Sequence, residues 1–304
     1  MQTHPPSSFL PFLLSLLGVS ALAAMAILPR SLIPDQELPA WRPPAPQVGA
    51  DAFLVKLMGT HEPLLARHHR RAMAPASITK LLTAFIAADL VSPSEYIRFS
   101  TEAKAVVPKK SPVPIGVALT RDDVLRLALV ASANDAAYAL AEAAGKKFGA
   151  QESGQAVMRF TTFMNKTAGA IGMQHSSFQN PTGLDADGHR TDAEDLALLA
   201  EYILMHRPEL FSLTREKNVV LTFGAKKALY RLEATNLLLG EFPRLIGGKT
   251  GLTNDAKGTL LLAYGLPEGK KAIVVILGSE DRFADGRKLL RWLDRLFPSR
   301  TSSS

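Results

Sequence analysis

The placement of the strand-like segments constrains this chain more than any other feature. Two short apolar runs, AFLVKLMG (52–59) and EPLLARH (62–68), flank a turn at Gly59-Thr60-His61. Four more, NVVLTF (218–223), RLIGGKTG (244–251), GTLLLAYG (258–265) and KAIVVILG (271–278), come only toward the other end. Between the two groups the apolar period changes. Ile78, Leu81, Leu82, Phe85, Ile86 and Leu90 recur at helical spacing, which predicts a helix over 77–90. Further helices are predicted over 121–130, 134–147, 155–170 and 192–206, and a last amphipathic one over 284–297. Strands linked as hairpins, not alternating with helices, predict an antiparallel sheet. The first and last strands are expected to share it, with the helical block inserted between them. The final helix is expected to cover a sheet face; its basic, amphipathic character also suits a membrane surface.

Composition narrows the function. Of 304 residues, 47% are hydrophobic, enough for a sizeable core. The chain has no cysteine, which removes thiol nucleophiles, cysteine-based zinc sites and disulfides. The net charge of +7 is scattered, with short clusters such as RHHRR (67–71), and no nucleic-acid-binding motif accompanies it. No nucleic-acid partner is expected. The histidines form no H-E-x-x-H or other tight ligand set, so neither a metal nor a cofactor is expected.

The N-terminal stretch FLPFLLSLLGVSALAAMAIL (9–28) carries no charge and is long enough to cross a bilayer. ALA and AMA near its end offer signal-peptide cleavage sites, but its length and the absence of a preceding Lys or Arg favour an anchor. Residues 1–30 are thus expected to serve export, 31–47 to form a proline-rich linker, 48–298 to fold, and 299–304 to be a tail.

Three short patterns can carry chemistry. In PASITKLLTAFIAADL (75–90), Ser77 and Lys80 stand three apart on one helix face. A serine hydroxyl attacks only when a base takes its proton, and a lysine is that base only when neutral, which burial or a second cation such as Lys249 favours. The Ser77 amide at the helix start can stabilise an oxyanion. In SAND (132–135), Ser132 and Asn134 alternate, so a turn can aim both into one cleft. In GGKTG (247–251), glycines allow close approach of a substrate backbone, and Lys249 and Thr250 can hold a carboxylate. Taken singly, each pattern also fits a helix cap, a turn or a solvated lysine.

Together, S-x-x-K, S-x-N and K-T-G fall in order at a helix start, an interhelical loop and a strand. With these motifs the chain resembles the low-molecular-mass penicillin-binding proteins, the serine D-alanyl-D-alanine carboxypeptidases, over about residues 48–298. HSSFQNPTGLDADGHRTDAEDLALLA (175–200) is similar to the family's segment after its middle helices, and EATNLLL (233–239) to its approach to the K-T-G strand. The resemblance implies a three-layer α/β/α sandwich of the β-lactamase/transpeptidase-like class, with a five-stranded antiparallel sheet and a helical subdomain beside the cleft. It implies Ser77 as the acylated nucleophile, Lys80 as its base, and Ser132 and Asn134 as proton shuttle and substrate-amide holder. Lys249, Thr250 and Gly251 would meet the substrate, and the amides of Ser77 and Leu252 would form the oxyanion hole. Arg282 stands about where the family carries a carboxylate-assisting arginine, with a plain surface arginine as the alternative.

The implied substrates are peptidoglycan pentapeptide stems at the outer face of the cytoplasmic membrane, with β-lactams as covalent inhibitors. A DD-endopeptidase acting on crosslinks, a β-lactamase and a non-catalytic wall-binding module are the alternatives. No E-x-x-L-N pattern occurs in 165–200 to favour the β-lactamase. The chain departs from the family at S-A-N, where many relatives have S-G-N, and in LTNDAKGTLLLA after K-T-G. Only PSRTSSS follows the last helix, so the extra β domain and terminal anchor of some relatives are not expected.

Overall fold

GTLLLAYG and KAIVVILG show no polar alternation, and their position explains it. The computed structural model describes residues 41–298, apart from 109 and 224–227. Its main sheet contains β1 (Ala52–Leu57), β2 (Leu65–Arg67), β7 (Leu245–Thr253), β8 (Lys257–Gly265) and β9 (Lys271–Ser279). The order is β2-β1-β9-β8-β7, antiparallel throughout. β8 and β9 are inner strands with both faces covered, so nearly every side chain in them is buried. Two small antiparallel pairs stand apart: β3 (Tyr96–Arg98) with β4 (Ala118–Thr120), and β5 (Asn218–Phe223) with β6 (Ala228–Glu233).

The helices are α1 (Thr79–Leu90), α2 (Thr101–Ala105), α3 (Arg121–Leu129), α4 (Asn134–Lys146), α5 (Ser153–Ile171), α6 (Ala193–His206), α7 (Pro208–Leu213) and α8 (Arg282–Leu296). Leu54, Leu261, Ile273 and Val275 on one sheet face join the core of α1, α6 and the other inserted helices. Val55, Leu262, Val274 and Ile276 on the other face pack under Leu289, Leu290 and Leu293 of α8. Each such buried side chain stabilises by roughly 2 kcal/mol. The layering is therefore α/β/α, and α8 spends its apolar side on the sheet. The Trp292 indole N–H also donates to the Pro43 carbonyl at 3.1 Å, tying the start of the described chain to α8.

α1 is buried along Thr79–Ala88, so it runs through the interior instead of along a surface. Its polar residues therefore need partners inside, and Thr83 Oγ1 donates to the Pro181 carbonyl at 2.7 Å. β1 and α6 are joined by a buried ion pair, Lys56 to Glu201 at 3.2 Å.

Some elements differ from the sequence expectation. The strand expected over 62–68 narrows to Leu65–Arg67, since Pro63 has no N–H to pair. α8 begins at Arg282, two residues earlier than expected, because Asp281 caps it by accepting from the Phe283 and Ala284 amides. β3, β4, β6, α2 and α7 were not expected; β3 and β4, three residues each, and the short α2 and α7 carry no readable period. Among the described residues no helix is long and apolar enough to cross a membrane. The stretch 9–28, residues 31–40 and the tail 299–304 lie outside the described residues.

Candidate active site

Ser77 does not sit on α1 itself. It lies in a 3₁₀ turn, Ala76–Ile78, that feeds α1. Ala76, just before it, holds a left-handed backbone (φ 49°), a conformation that costs a non-glycine residue about 1 kcal/mol or more. Lys80 follows one turn on and is fully buried. Its Nζ lies 2.7 Å from Ser77 Oγ, 2.7 Å from Asn134 Oδ1 and 2.6 Å from the Thr182 carbonyl. Both carbonyl oxygens can only accept, so each takes an N–H from Lys80. The Ser77 hydroxyl faces the same Nζ. A proton there makes an ammonium donor; a lone pair there makes a base facing the Ser77 proton. The geometry thus places Nζ where it can exchange a proton with Ser77.

The second motif arrives from the opposite wall. Ser132 is also left-handed (φ 60°), which turns the chain sharply into α4. Ala133 has ordinary extended angles (φ −67°, ψ 126°), so alanine fits the middle of S-A-N without strain. Lys249 of β7 is fully buried and donates to Ser132 Oγ at 2.8 Å and to the Thr250 carbonyl at 2.9 Å. Thr250 Oγ1 donates to Thr235 Oγ1 at 2.6 Å, and the Thr235 amide donates to the Val130 carbonyl at 3.1 Å. Thr235, from EATNLLL, therefore ties the K-T-G strand to the turn that carries Ser132.

Two glycines set the closest approaches. A Cβ on Gly251 would lie 2.8 Å from the Ser77 amide nitrogen, so β7 passes directly beside the serine backbone. A Cβ on Gly183 would lie 1.9 Å from the Ala76 carbonyl oxygen, and Gly183 has φ +81°. Both positions exclude a side chain, and both bear on the peptide that would form the oxyanion hole.

Sequence reasoning missed the loop that carries Gly183. Asn180 Oδ1 accepts from the Thr182, Gly183 and Leu184 amides at 3.1, 2.8 and 3.2 Å, which fixes the Thr182 carbonyl over Lys80. His189 closes this loop onto α1. Its Nδ1 accepts from the Gln179 amide at 3.1 Å, so the proton sits on Nε2, which donates to Thr79 Oγ1 at 3.0 Å. Burial pulls the His189 pKa down to about 4, so the ring is neutral near pH 7. The stretch NPTGL was legible only as a family likeness, because a backbone carbonyl leaves no residue signature.

The outer rim is different. Leu252 is 65% exposed. Arg282, half-buried at the start of α8, lies beside Gly258, the strand partner of Leu252, with its guanidinium over the Phe283 ring. Burial lowers its pKa, and its Nε has no hydrogen-bond partner among the described residues.

Ligand atoms of His175, Asp192 and Asp195 lie within 4.8 Å of one another. These groups already serve each other: His175 Nδ1 meets Asp192 at 2.8 Å, Asp192 caps α6, and Asp195 accepts from the His175 amide and from Ser176 Oγ.

A serine held against a buried lysine, between helices and a strand at the sheet edge, is the arrangement of a serine acyl-transfer enzyme. The model of peptidase family S11, D-alanyl-D-alanine carboxypeptidase, matches residues 40–281, and the chain belongs to that family. The D-alanyl-D-alanine carboxypeptidase DacF of Bacillus subtilis is 29% identical over 243 residues, 78% of this chain and 59% of that one. The chain thus spans about three fifths of that relative's length. A D-alanyl-D-alanine endopeptidase of Pseudomonas aeruginosa is 30% identical over 265 residues, 82% of this chain and 78% of that one. The crystal structure of the D-alanyl-D-alanine carboxypeptidase DacD from Francisella tularensis superposes with a TM-score of 0.74 at 25% identity, covering 87% of this chain and 74% of that one.

Proposed function

We propose that this protein is a serine-type D-Ala–D-Ala carboxypeptidase acting on peptidoglycan stem peptides. The observation that carries the reading is the Lys80 environment: its buried Nζ stands 2.7 Å from Ser77 Oγ, within reach of the transferred proton, while Asn134 Oδ1 and the Thr182 carbonyl hold it there. Ser77 Oγ bonds to the carbonyl carbon of the penultimate D-Ala while its proton passes to Lys80. The amides of Ser77 and Leu252 hold the developing oxyanion. The carbon–nitrogen bond then breaks, and D-Ala leaves with a proton relayed through Ser132. Water opens the acyl-enzyme and restores Ser77. Asn134 holds the substrate amide, and Lys249, Thr250 and Arg282 hold the terminal carboxylate, with Gly251 letting the peptide approach β7. A β-lactam ring, opened by the same attack, would stay on Ser77 as a stable ester.

Labelling with a fluorescent penicillin, together with assay of D-Ala release from a pentapeptide, tests this. Covalent label and free D-Ala are expected, and both should vanish in Ser77→Ala. Label persisting in that variant would refute the assignment of the nucleophile.

The 30% identity to a protein named D-alanyl-D-alanine endopeptidase supports a second reading, cleavage of crosslinked stems by the same site. Relative rates on pentapeptide and on crosslinked dimer decide between them. The uncharged stretch 9–28 supports export and anchoring at the outer face of the cytoplasmic membrane. Fractionation of cells producing the full chain should place it with membranes; label recovered only in the soluble extract would point to a cleaved signal.

A further inference from the structure

Asp135 follows Asn134 in SAND, yet the reaction above gives it no task. It is fully buried as the second residue of α4. Its carboxylate accepts from the Ser111 amide at 2.9 Å with both oxygens, from Ser111 Oγ at 2.8 Å and from the Ala136 amide at 2.9 Å. It also pairs with Lys104 of α2, which in turn donates to the Ser111 carbonyl at 2.8 Å. A buried carboxylate so fully partnered is costly to build and costly to break. A simple N-terminal cap of α4 would need only one amide.

The clamp holds Lys104 and Ser111, which stand on either side of Pro108. Pro108 returns its carbonyl to the site, where it accepts from Asn134 Nδ2 at 2.7 Å. A side-chain amide has one donor end and one acceptor end, related by a flip of its plane. The Pro108 carbonyl can only accept, so it demands the Nδ2 end. The Oδ1 end is then forced toward Lys80, which donates to it at 2.7 Å. Without the Pro108 carbonyl, the Lys80 contact would be left to hold the orientation among the described residues, and a flipped amide would face Lys80 with N–H groups.

We propose that Asp135, clamping Lys104 and Ser111, is a positioning residue that fixes the orientation of the Asn134 amide and through it the aim of Lys80 at Ser77. The inference rests on the acyl-enzyme reading above. It assigns a role to a residue outside the three motifs.

The test is a double-mutant cycle on the full-length chain, read as the second-order rate constant of penicillin acylation, with a thermal melt of each variant. Asp135→Asn keeps the shape but turns an amide N–H toward the Lys104 ammonium. It should slow acylation about tenfold in the wild-type background, and change it less than about twofold when Asn134→Ala is already present. A residue acting only on stability would cost the same factor in both backgrounds, and that result overturns the proposal. Unchanged acylation in folded Asp135→Asn also overturns it. If Asp135→Asn does not fold, Ser111→Ala carries the same cycle, since it removes one hydroxyl contact and leaves the Ser111 amide in place. A loss of about threefold that disappears in the Asn134→Ala background supports the clamp, and a loss that persists there refutes it. Failure of the acyl-enzyme reading is separately visible, as label surviving in Ser77→Ala.

Discussion

The inner wall of the cleft and its outer rim are built on different principles. On the inner wall, Lys80, Ser132, Asn134 and Lys249 are buried, and each is held by hydrogen bonds at 2.6–2.9 Å. Several of the acceptors are backbone carbonyls, fixed by secondary structure and by the Asn180 turn. On the rim, Leu252 is 65% exposed, and Arg282 keeps a buried Nε without a partner among the described residues. The wall is preorganised, so the proton transfer proposed from Ser77 to Lys80 would need no rearrangement of it. The rim is unfinished, as expected of groups whose partner is a substrate. Substitutions on the wall should therefore cost rate and stability together, whereas rim substitutions should cost recognition alone.

The largest expected effect is that of Lys80→Met. It removes the proposed base and should slow penicillin acylation about a thousandfold. It also leaves the Thr182 and Asn134 oxygens without their donor, a loss of about 1–3 kcal/mol for each buried acceptor. Stopped-flow acylation and urea unfolding should both register it. A variant that loses rate but keeps full stability would break the coupling claimed for the wall.

Gly183→Ala comes next. The new Cβ would meet the Ala76 carbonyl oxygen at 1.9 Å, and the backbone there is left-handed. A destabilisation of about 2–3 kcal/mol is expected. Displacement of the Ser77 amide should also slow acylation about tenfold or more. Melting temperature and labelling rate of the same preparation give both numbers. Loss of stability with an intact labelling rate would mean that Gly183 supports the fold and not the oxyanion hole.

The difference between wall and rim also decides what the sequence could reveal. Ser77, Lys80 and Lys249 were legible as candidates only as a set, because S-x-x-K, S-x-N and K-T-G, each ambiguous alone, fall in order at a helix start, an interhelical loop and a strand. Asn134 was legible as a type, but its orientation was not, because that depends on the Pro108 carbonyl. The Thr182 carbonyl was invisible for the same reason: its position is set by the Asn180 side chain and the turn it closes. In the fold, GTLLLAYG and KAIVVILG were legible as strands, and only the structure shows that two covered faces explain their lack of polar alternation. β3 and β4, three residues each, are too short to carry any period. That Ser77 sits in a 3₁₀ turn and not on α1 follows from the left-handed Ala76, and a backbone angle of that kind is unreadable where the residue is not glycine.

His189 sharpens the account of the wall by pH. Burial holds its pKa at about 4 in the fold, against an ordinary value of 6.5. Below pH 6.5 the unfolded chain takes up a proton that the folded chain refuses. Stability should therefore fall as pH drops from 6.5 toward 4, by up to about 3 kcal/mol from this residue. Above 6.5 the residue contributes no slope. Urea unfolding at pH 7.5 and 4.5 measures the drop, and His189→Gln should remove that share of it. Equal drops in both proteins would mean that His189 is not the titrating group.

The rim yields the smallest effects, and they should separate. Arg282→Ala should leave stability within about 0.5 kcal/mol, since no hydrogen bond from its Nε is lost. If the guanidinium meets the substrate carboxylate, KM for a D-Ala–D-Ala peptide should rise about tenfold with kcat little changed. Capping that carboxylate as an amide should then erase the difference between variant and wild type. Leu252→Ala alters a side chain that stands in solvent while leaving the backbone amide in place. It should shift stability by less than about 0.5 kcal/mol and acylation by no more than about twofold. A large rate loss in Leu252→Ala would show that the rim is as tightly coupled to the chemistry as the wall, and the distinction between the two would fall.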